Sequence, residues 1–154
     1  MWRRVDKEFG MVDFHWFFLA QDAPFPERLL TAAPDEFYFR GDRSRFHPEA
    51  LADYLQAVRD PATVQAMCED YRAGASYDDE ADAADVTAGR RIGCPVHVLW
   101  AGRDELGRWF DVLDVWRKWT RADVTGRALD CGHFLAEEAS DATLDELRSF
   151  LSSG

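Results

Sequence analysis

A continuous run of mostly apolar residues, 94–100, constrains the fold of this chain more than any other segment. Such a run without polar alternation predicts a β-strand buried on both faces, as in parallel sheets covered by helices. A predicted helix at 110–120, a weaker strand at 124–129 and a helix at 141–151 follow it. This order is typical of the last third of a doubly wound α/β sheet.

The terminal helix is predicted to bury one side against that sheet. Its apolar residues recur at helical spacing and form one inner face. They are Leu144, Leu147, Phe150 and Leu151. The helix at 110–120 mixes core and surface positions in its pattern, so we expect only part of it to be covered.

The first part of the chain has a different pattern. Up to about residue 89, helical segments are punctuated by proline and glycine, and no run of alternating β-branched residues occurs. We therefore expect this part to be all-helical, with helices at 49–59 and 61–73. The second of these places four residues on one stripe, Val64, Met67, Cys68 and Tyr71. The acidic run 78–85 is predicted to be the solvated first half of a further helix.

Composition limits the classes of partner and compartment. The 154 residues are 47% hydrophobic, enough for a packed core, and the formal net charge of -11 disfavours nucleic acid and anionic membranes as partners. No stretch approaches the roughly 18 apolar residues of a membrane span, and the N-terminus has no apolar signal core, so we expect a cytoplasmic location. Cys68, Cys94 and Cys131 are widely spaced, which predicts buried small side chains rather than a disulfide framework or a zinc site.

A Gly-His pair, Gly132 and His133, follows the second predicted strand. Glycine allows a tight turn there, and the turn places a titratable imidazole on a loop at the edge of the sheet. Taken alone, His133 fits a catalytic base and an ordinary loop histidine equally well. His47, expected near a helix start, and His97, expected in or beside the buried strand, belong to no motif.

Four blocks in order along the chain resemble the fluoroacetate and haloacetate dehalogenases of the α/β-hydrolase superfamily. The blocks are residues 15–21 with 24–27, residues 68–74, residues 114–119 and residues 132–135. The resemblance extends over nearly the whole chain. It implies a partial α/β-hydrolase fold, in which a helical cap domain at 1–90 precedes a C-terminal remnant of the doubly wound core at 91–154.

The resemblance also implies roles in catalysis. In this family an aspartate displaces halide from the α-carbon of a haloacetate, and a histidine activates the water that hydrolyses the resulting ester. That general base corresponds to His133. The halide pocket corresponds to His15, Trp16 and Tyr71, whose N–H and O–H groups stabilise the charge on a departing halide. The implied substrate is a small haloacid anion, and the chemistry uses side chains and water, with no metal or cofactor.

Asp104 lies in the loop after the predicted strand at 94–100, where many α/β-hydrolases have the acid of their triad. Close dehalogenase relatives have this acid on an earlier strand. Asp104 is therefore a candidate for orienting His133. Arg72, next to Tyr71, could steer an anionic substrate, but a surface ion pair is the favoured interpretation.

The resemblance places the nucleophilic aspartate, the arginines that bind the substrate carboxylate and most sheet strands before Met1. We therefore expect a truncated chain that is inactive alone, with a missing N-terminal half or a homodimer partner completing it. Two other functions stay open. One is a non-catalytic fragment or a helical module that binds a small anion or a partner. The other is an epoxide or ester hydrolase, since cap tyrosines in such enzymes activate a ring oxygen. The pair of His15 and Trp16 favours a halide-binding site over this alternative.

Overall fold

The computed structural model describes residues 6–39 and 43–152. The chain forms two compact units, Met1–Ala84 and Asp85–Gly154, and each is described by itself. The division between them lies within one helix, Tyr77–Ala88, whereas the sequence pattern placed the domain boundary just after that helix, between residues 90 and 91.

The first unit is all-helical in its described residues, as the sequence predicts. Its helices are α1 (Lys7–Val12), α2 (Phe14–Leu19), α3 (Phe25–Ala32), α4 (Pro34–Tyr38), α5 (Pro48–Ala57), α6 (Pro61–Ala75) and α7 (Tyr77–Ala88), the last of which continues into the second unit. The predicted helices at 49–59 and 61–73 are α5 and α6, with slightly different ends. The acidic run lies in α7, which has no buried residue.

Capping side chains and prolines fix where α5 and α6 begin. Asp60 accepts a backbone N–H from the first turn of α6 at 2.9 Å, and His47 Nδ1 accepts one from α5 at 3.4 Å. Pro48 and Pro61 follow these caps, where a missing N–H costs nothing. The predicted position of His47 at a helix start is confirmed.

The core of the first unit lies between α2, α3 and α6. Its fully buried side chains are Leu19, Leu30, Val64 and Cys68. Aromatic rings from α2, α4 and α6 pack around this cluster. The predicted stripe on α6 is confirmed, because Val64 and Cys68 are buried while Met67 and Tyr71 are half-buried.

The second unit is built on a two-stranded parallel sheet. Its elements are β1 (Val96–Ala101), α8 (Leu106–Trp109), α9 (Val112–Trp119), β2 (Val124–Leu129), α10 (Leu135–Glu138) and α11 (Ser140–Leu151). The register pairs Val96 with Val124 and Ala101 with Leu129. The strand prediction at 124–129 is confirmed at both ends.

The predicted helix at 110–120 is wrong at its start. Asp111 caps α9 by accepting the Asp114 N–H at 2.9 Å, so the helix begins at Val112. Phe110 is extended and separates α9 from α8. The sequence pattern missed α8 because its single turn is too short to show helical periodicity.

Gly126 makes the close approach of the two strands feasible. Its φ is +145°, and a Cβ at this position would lie 1.9 Å from the Val98 carbonyl oxygen of β1. Only glycine combines this backbone conformation with the absence of a side chain.

Two burial expectations for the second unit are wrong. Among the described residues the sheet has two strands, so the side chains of β1 are mostly half-buried rather than buried on both faces. The expected inner face of α11 is largely exposed for the same reason, at Leu144, Leu147 and Leu151. Phe150 is half-buried and packs on the sheet, where its ring stacks on that of His97 of β1 with centroids 5.2 Å apart.

The cysteines divide between core and surface. Cys68 and Cys131 are buried as expected, whereas Cys94 is exposed because it precedes β1 in the loop rather than lying within the strand. His97 lies on β1 as predicted, bonding Thr125 Oγ1 at 2.8 Å and Glu146 Oε2 at 3.0 Å. In the part of the chain that the structure describes, no helix is both long and apolar enough to cross a membrane.

Two neighbouring leucines of α3 allow a direct test of the first unit's core. Leu30 is 1% exposed and Leu29 is 50% exposed. We expect Leu30→Ala to lower the free energy of unfolding by about 2–5 kcal/mol, because it leaves a cavity in the core. Leu29→Ala should change it by less than about 0.5 kcal/mol. Urea unfolding measures both, and equal losses in the two variants would contradict the assigned core.

Candidate functional site

The carboxyl ends of β1 and β2 bring two loops together. Backbone pairing continues past the last strand residues, since the Gly102 N–H donates to the Leu129 carbonyl at 2.7 Å and the Arg103 N–H to the Cys131 carbonyl at 3.0 Å. The residues that follow on each chain segment therefore lie side by side. Ligand and catalytic sites of α/β sheets lie at this edge.

Asp104 and His133, the two predicted site residues of this unit, form a hydrogen-bonded pair at that edge. His133 Nδ1 lies 2.6 Å from Asp104 Oδ2, and Asp104 Oδ1 accepts the Glu105 N–H at 2.7 Å. Because an ionised carboxylate only accepts hydrogen bonds, Nδ1 of the neutral imidazole bears the proton and Nε2 is the acceptor. The geometry thus fits an acid that orients a base.

The charge of Asp104 is stabilised by its neighbours. Burial raises the pKa of the Asp104 carboxyl, but the hydrogen bonds from His133 and from the Glu105 amide outweigh burial and leave the pKa below its ordinary value. The carboxylate is therefore ionised at neutral pH. The His133 side chain is 74% exposed and accessible to water and solutes, whereas that of Asp104 is 28% exposed.

No role was predicted from the sequence for Glu138, yet its carboxylate bonds the backbone of the histidine loop. Glu138 Oε2 accepts the Gly132 N–H at 2.8 Å, and Oε1 accepts the Phe134 N–H at 3.4 Å. Phe134 is the N-cap of α10, and Glu138 ends that helix. The capping-box pattern expects an acid three residues after the N-cap, where Glu137 stands, so this signal does not identify Glu138.

The predicted halide-binding residues come together in the first unit. His15 and Trp16 lie on α2, which packs against α6, and Tyr71 lies on α6. The Tyr71 ring lies 5.8 Å from the His15 ring and 5.9 Å from the Trp16 ring, edge-on to both. That these three side chains bind one halide stays a prediction.

Tyr71 is a hydrogen-bond donor at neutral pH. Burial raises the pKa of its hydroxyl, and the negative charges of Asp70 and Asp13 raise it further. The proton is therefore retained. A half-buried phenol beside an indole and an imidazole offers N–H and O–H groups in a partly water-excluded setting, where hydrogen bonds to an anion are stronger than in water.

Arg72 is held in an ion-pair cluster, as the favoured interpretation of the sequence states, but it is less exposed than expected. Its Nη2 lies 2.6 Å from Glu27 Oε1 and its Nη1 lies 2.8 Å from Glu69 Oε1. Its Nε donates to the Gln21 carbonyl at 2.8 Å. Its side chain is 17% exposed. Glu27 links α6 to α3 and Gln21 links α6 to the loop after α2, whereas Glu69 lies on α6 itself.

Side chains of the His, Cys, Asp and Glu types are the usual metal ligands of proteins. Within residues 6–39 and 43–152, no group of at least three such side chains could hold a metal ion.

Comparison with known proteins identifies relatives across the whole chain. No family model matches the sequence. A fluoroacetate dehalogenase from Burkholderia sp. is 35% identical over 159 residues, covering 99% of this chain and 51% of that protein.

Two relatives of known structure have higher sequence identity to this chain. A candidate epoxide hydrolase from Pseudomonas aeruginosa is 44% identical with a TM-score of 0.90, covering 99% of this chain and 52% of that one. A candidate alpha/beta hydrolase from Nostoc sp. PCC 7120 is 44% identical with a TM-score of 0.89, covering 97% and 53%. The chain spans about half the length of each of these relatives.

The link between Asp104 and His133 can be tested by titration. We expect His133→Ala to raise the pKa of the Asp104 carboxyl, because burial continues to raise it while the opposing hydrogen bond is gone. Carbon-detected NMR of the side-chain carboxyls measures this pKa. Asp130, whose pKa is lowered by Arg103, is the internal reference and should not move. An unchanged Asp104 pKa would show that the pair does not form in solution.

Proposed function

This chain belongs to the α/β-hydrolase superfamily, and on that premise we propose that it supplies the water-activating base and the halide-binding cap of a hydrolase that cleaves carbon–halogen bonds of short haloacids. The resemblance to fluoroacetate dehalogenases in the four sequence blocks agrees with the 35% identity to the Burkholderia enzyme. One observation supports the proposal most directly, namely the distance of 2.6 Å between His133 Nδ1 and Asp104 Oδ2.

In the proposed reaction, His133 Nε2 takes a proton from water. A carboxylate oxygen of the nucleophile first bonds to the α-carbon of the haloacid, and the halide leaves with the electron pair of the carbon–halogen bond. Water then adds to the ester carbonyl and gives its proton to His133, which returns a proton to the hydroxyacid oxygen as the ester breaks. Asp104 stabilises the imidazolium that forms between these steps.

The proposed halide site is formed by His15, Trp16 and Tyr71. A leaving halide gains negative charge in the transition state, and donors already in place stabilise that charge without reorganisation. The proximity of the three rings supports this assignment, because the His15 and Trp16 rings both lie within 6 Å of the Tyr71 ring. The retained proton of Tyr71 supports it further, because a phenolate could not donate to an anion.

Epoxide hydrolysis is the second candidate. The Pseudomonas aeruginosa relative is named for it, and a tyrosine hydroxyl such as that of Tyr71 can protonate an epoxide oxygen. The same pair of base and acid, His133 and Asp104, would serve that reaction. Halide affinity separates the two candidates, since an epoxide hydrolase needs no donors for a halide ion.

Halide binding by the chain itself is the first test. We expect Tyr71→Phe to weaken bromide binding about ten- to a hundredfold, because a lost hydrogen bond to an anion costs about 1.5–3 kcal/mol. Line broadening in bromine NMR measures the affinity. Tyr77→Phe is the matched control, because Tyr77 is exposed on α7. No bromide binding by the wild-type chain would exclude the proposed halide site and favour the epoxide candidate.

Turnover is the second test. The relatives are about twice as long as this chain, and the family resemblance places the nucleophilic aspartate in their other half. We expect the purified 154-residue chain to release no fluoride from fluoroacetate in fluorine NMR. Fluoride release that His133→Ala abolishes would contradict this expectation and would assign a nucleophile to this chain.

A further inference from the structure

The carboxylate of Glu138 fixes the backbone on both sides of His133. Its two oxygens accept the amide protons of Gly132 at 2.8 Å and of Phe134 at 3.4 Å, the residues immediately before and after the histidine. The Glu138 amide in turn donates to the Phe134 carbonyl at 2.8 Å. This backbone bond closes the single turn of α10, so the Glu138 side chain that holds the loop is itself anchored on that turn.

We propose that Glu138 is a positioning residue, which holds His133 where its Nδ1 meets Asp104. Glu138 bonds the backbone amides on either side of the histidine, so it acts on the imidazole through the loop backbone. The inference rests on the proposed function only in taking His133 as the base. Its structural content, the alignment of the imidazole, is measurable without any turnover.

The exposure of His133 makes such a restraint necessary. Its side chain is 74% exposed and bonds Asp104, and the centroid of the Phe134 ring lies 5.2 Å from that of the imidazole, with the two ring planes 85° apart. A side chain on an exposed loop loses conformational entropy when it is held in one rotamer, and a mobile backbone adds to that loss. Fixing both flanking amides removes the backbone part of this cost before the imidazole meets its acid.

Gly132 is explained by the same carboxylate. A Cβ at this position would lie 2.7 Å and 2.9 Å from the two Glu138 side-chain oxygens, closer than real contacts allow. Gly132 has no left-handed φ, so its backbone conformation alone does not demand glycine. A side chain at position 132 would therefore force the Glu138 carboxylate out of its present place.

The imidazole tautomer of His133 reports directly on its position. In the structure the hydrogen bond to Asp104 selects the Nδ1–H form, and long-range nitrogen–proton NMR spectra at alkaline pH distinguish it from the Nε2–H form. We expect Glu138→Ala to convert the single Nδ1–H form into a mixture. Glu138→Gln, which keeps one acceptor oxygen, should give a smaller change. Asp141→Ala removes an exposed carboxylate in the first turn of α11 and should give none.

His97 shows in the same spectra whether the second unit stays folded, because its ring nitrogens bond Thr125 and Glu146. An unchanged His133 tautomer in Glu138→Ala with unchanged His97 signals would overturn the proposal. If Glu138→Ala also changes the His97 signals, Gly132→Ala is used in its place, because its added methyl group displaces the Glu138 carboxylate without removing it. An unchanged His133 tautomer in that variant, with unchanged His97 signals, would again overturn the proposal.

A double-mutant cycle tests the link between Gly132 and Glu138. Gly132→Ala should change the His133 tautomer in the wild-type background and have little further effect in the Glu138→Ala background. Additive effects would show that the glycine serves a different purpose. Neither experiment depends on halide, so failure of bromide binding would remove the haloacid function while leaving the role of Glu138 in place.

Discussion

The parallel pairing of β1 with β2 is the constraint on which the second unit depends. The register sets Ala101 opposite Leu129, and the backbone bonds beyond these residues keep the two chain segments adjacent into their loops. Asp104 follows one strand by three residues and His133 follows the other by four, so the same register brings carboxylate and imidazole to 2.6 Å. A slip by one residue would separate them and turn the side chains of the strand to the opposite face. Gly126, where no side chain fits against Val98, keeps that register.

A different kind of contact organises the first unit. Its helices are short, and aromatic side chains pack edge-on between them instead of long interdigitating ridges, as in the contacts of Tyr71 with His15 and Trp16. The partly buried ion pair of Arg72 with Glu27 adds a polar link between α6 and α3. Rigid rings and a guanidinium bonded through each of its three nitrogens restrict the positions of the proposed halide donors, which is the arrangement that preorganised electrostatic stabilisation requires.

The two carboxylates around His133 differ in what they hold. Asp104 bonds the imidazole and fixes its tautomer, whereas Glu138 bonds the amides that flank it and fixes the path of the backbone. Both act by accepting hydrogen bonds, and both lie within a few residues of a chain turn. Both carboxylates act on a histidine whose ring stays exposed, so the ring avoids the desolvation that burial would impose.

The sequence by itself determined the class of each segment and the identity of the candidate residues. Helical spacing located the stripe of Val64 and Cys68, the apolar run located β1, and the four blocks related the chain to its superfamily. These signals are local, because a period or a motif is contained within about ten residues. Only the tertiary structure decided which residues meet: the contact of His133 with Asp104, the hold of Glu138 on the loop, and the exposure of Leu144 and Leu147. Those outcomes depend on strand register and on the number of strands in the sheet against which a helix packs. Both are relations between segments distant in the sequence, so no local sequence pattern predicts them.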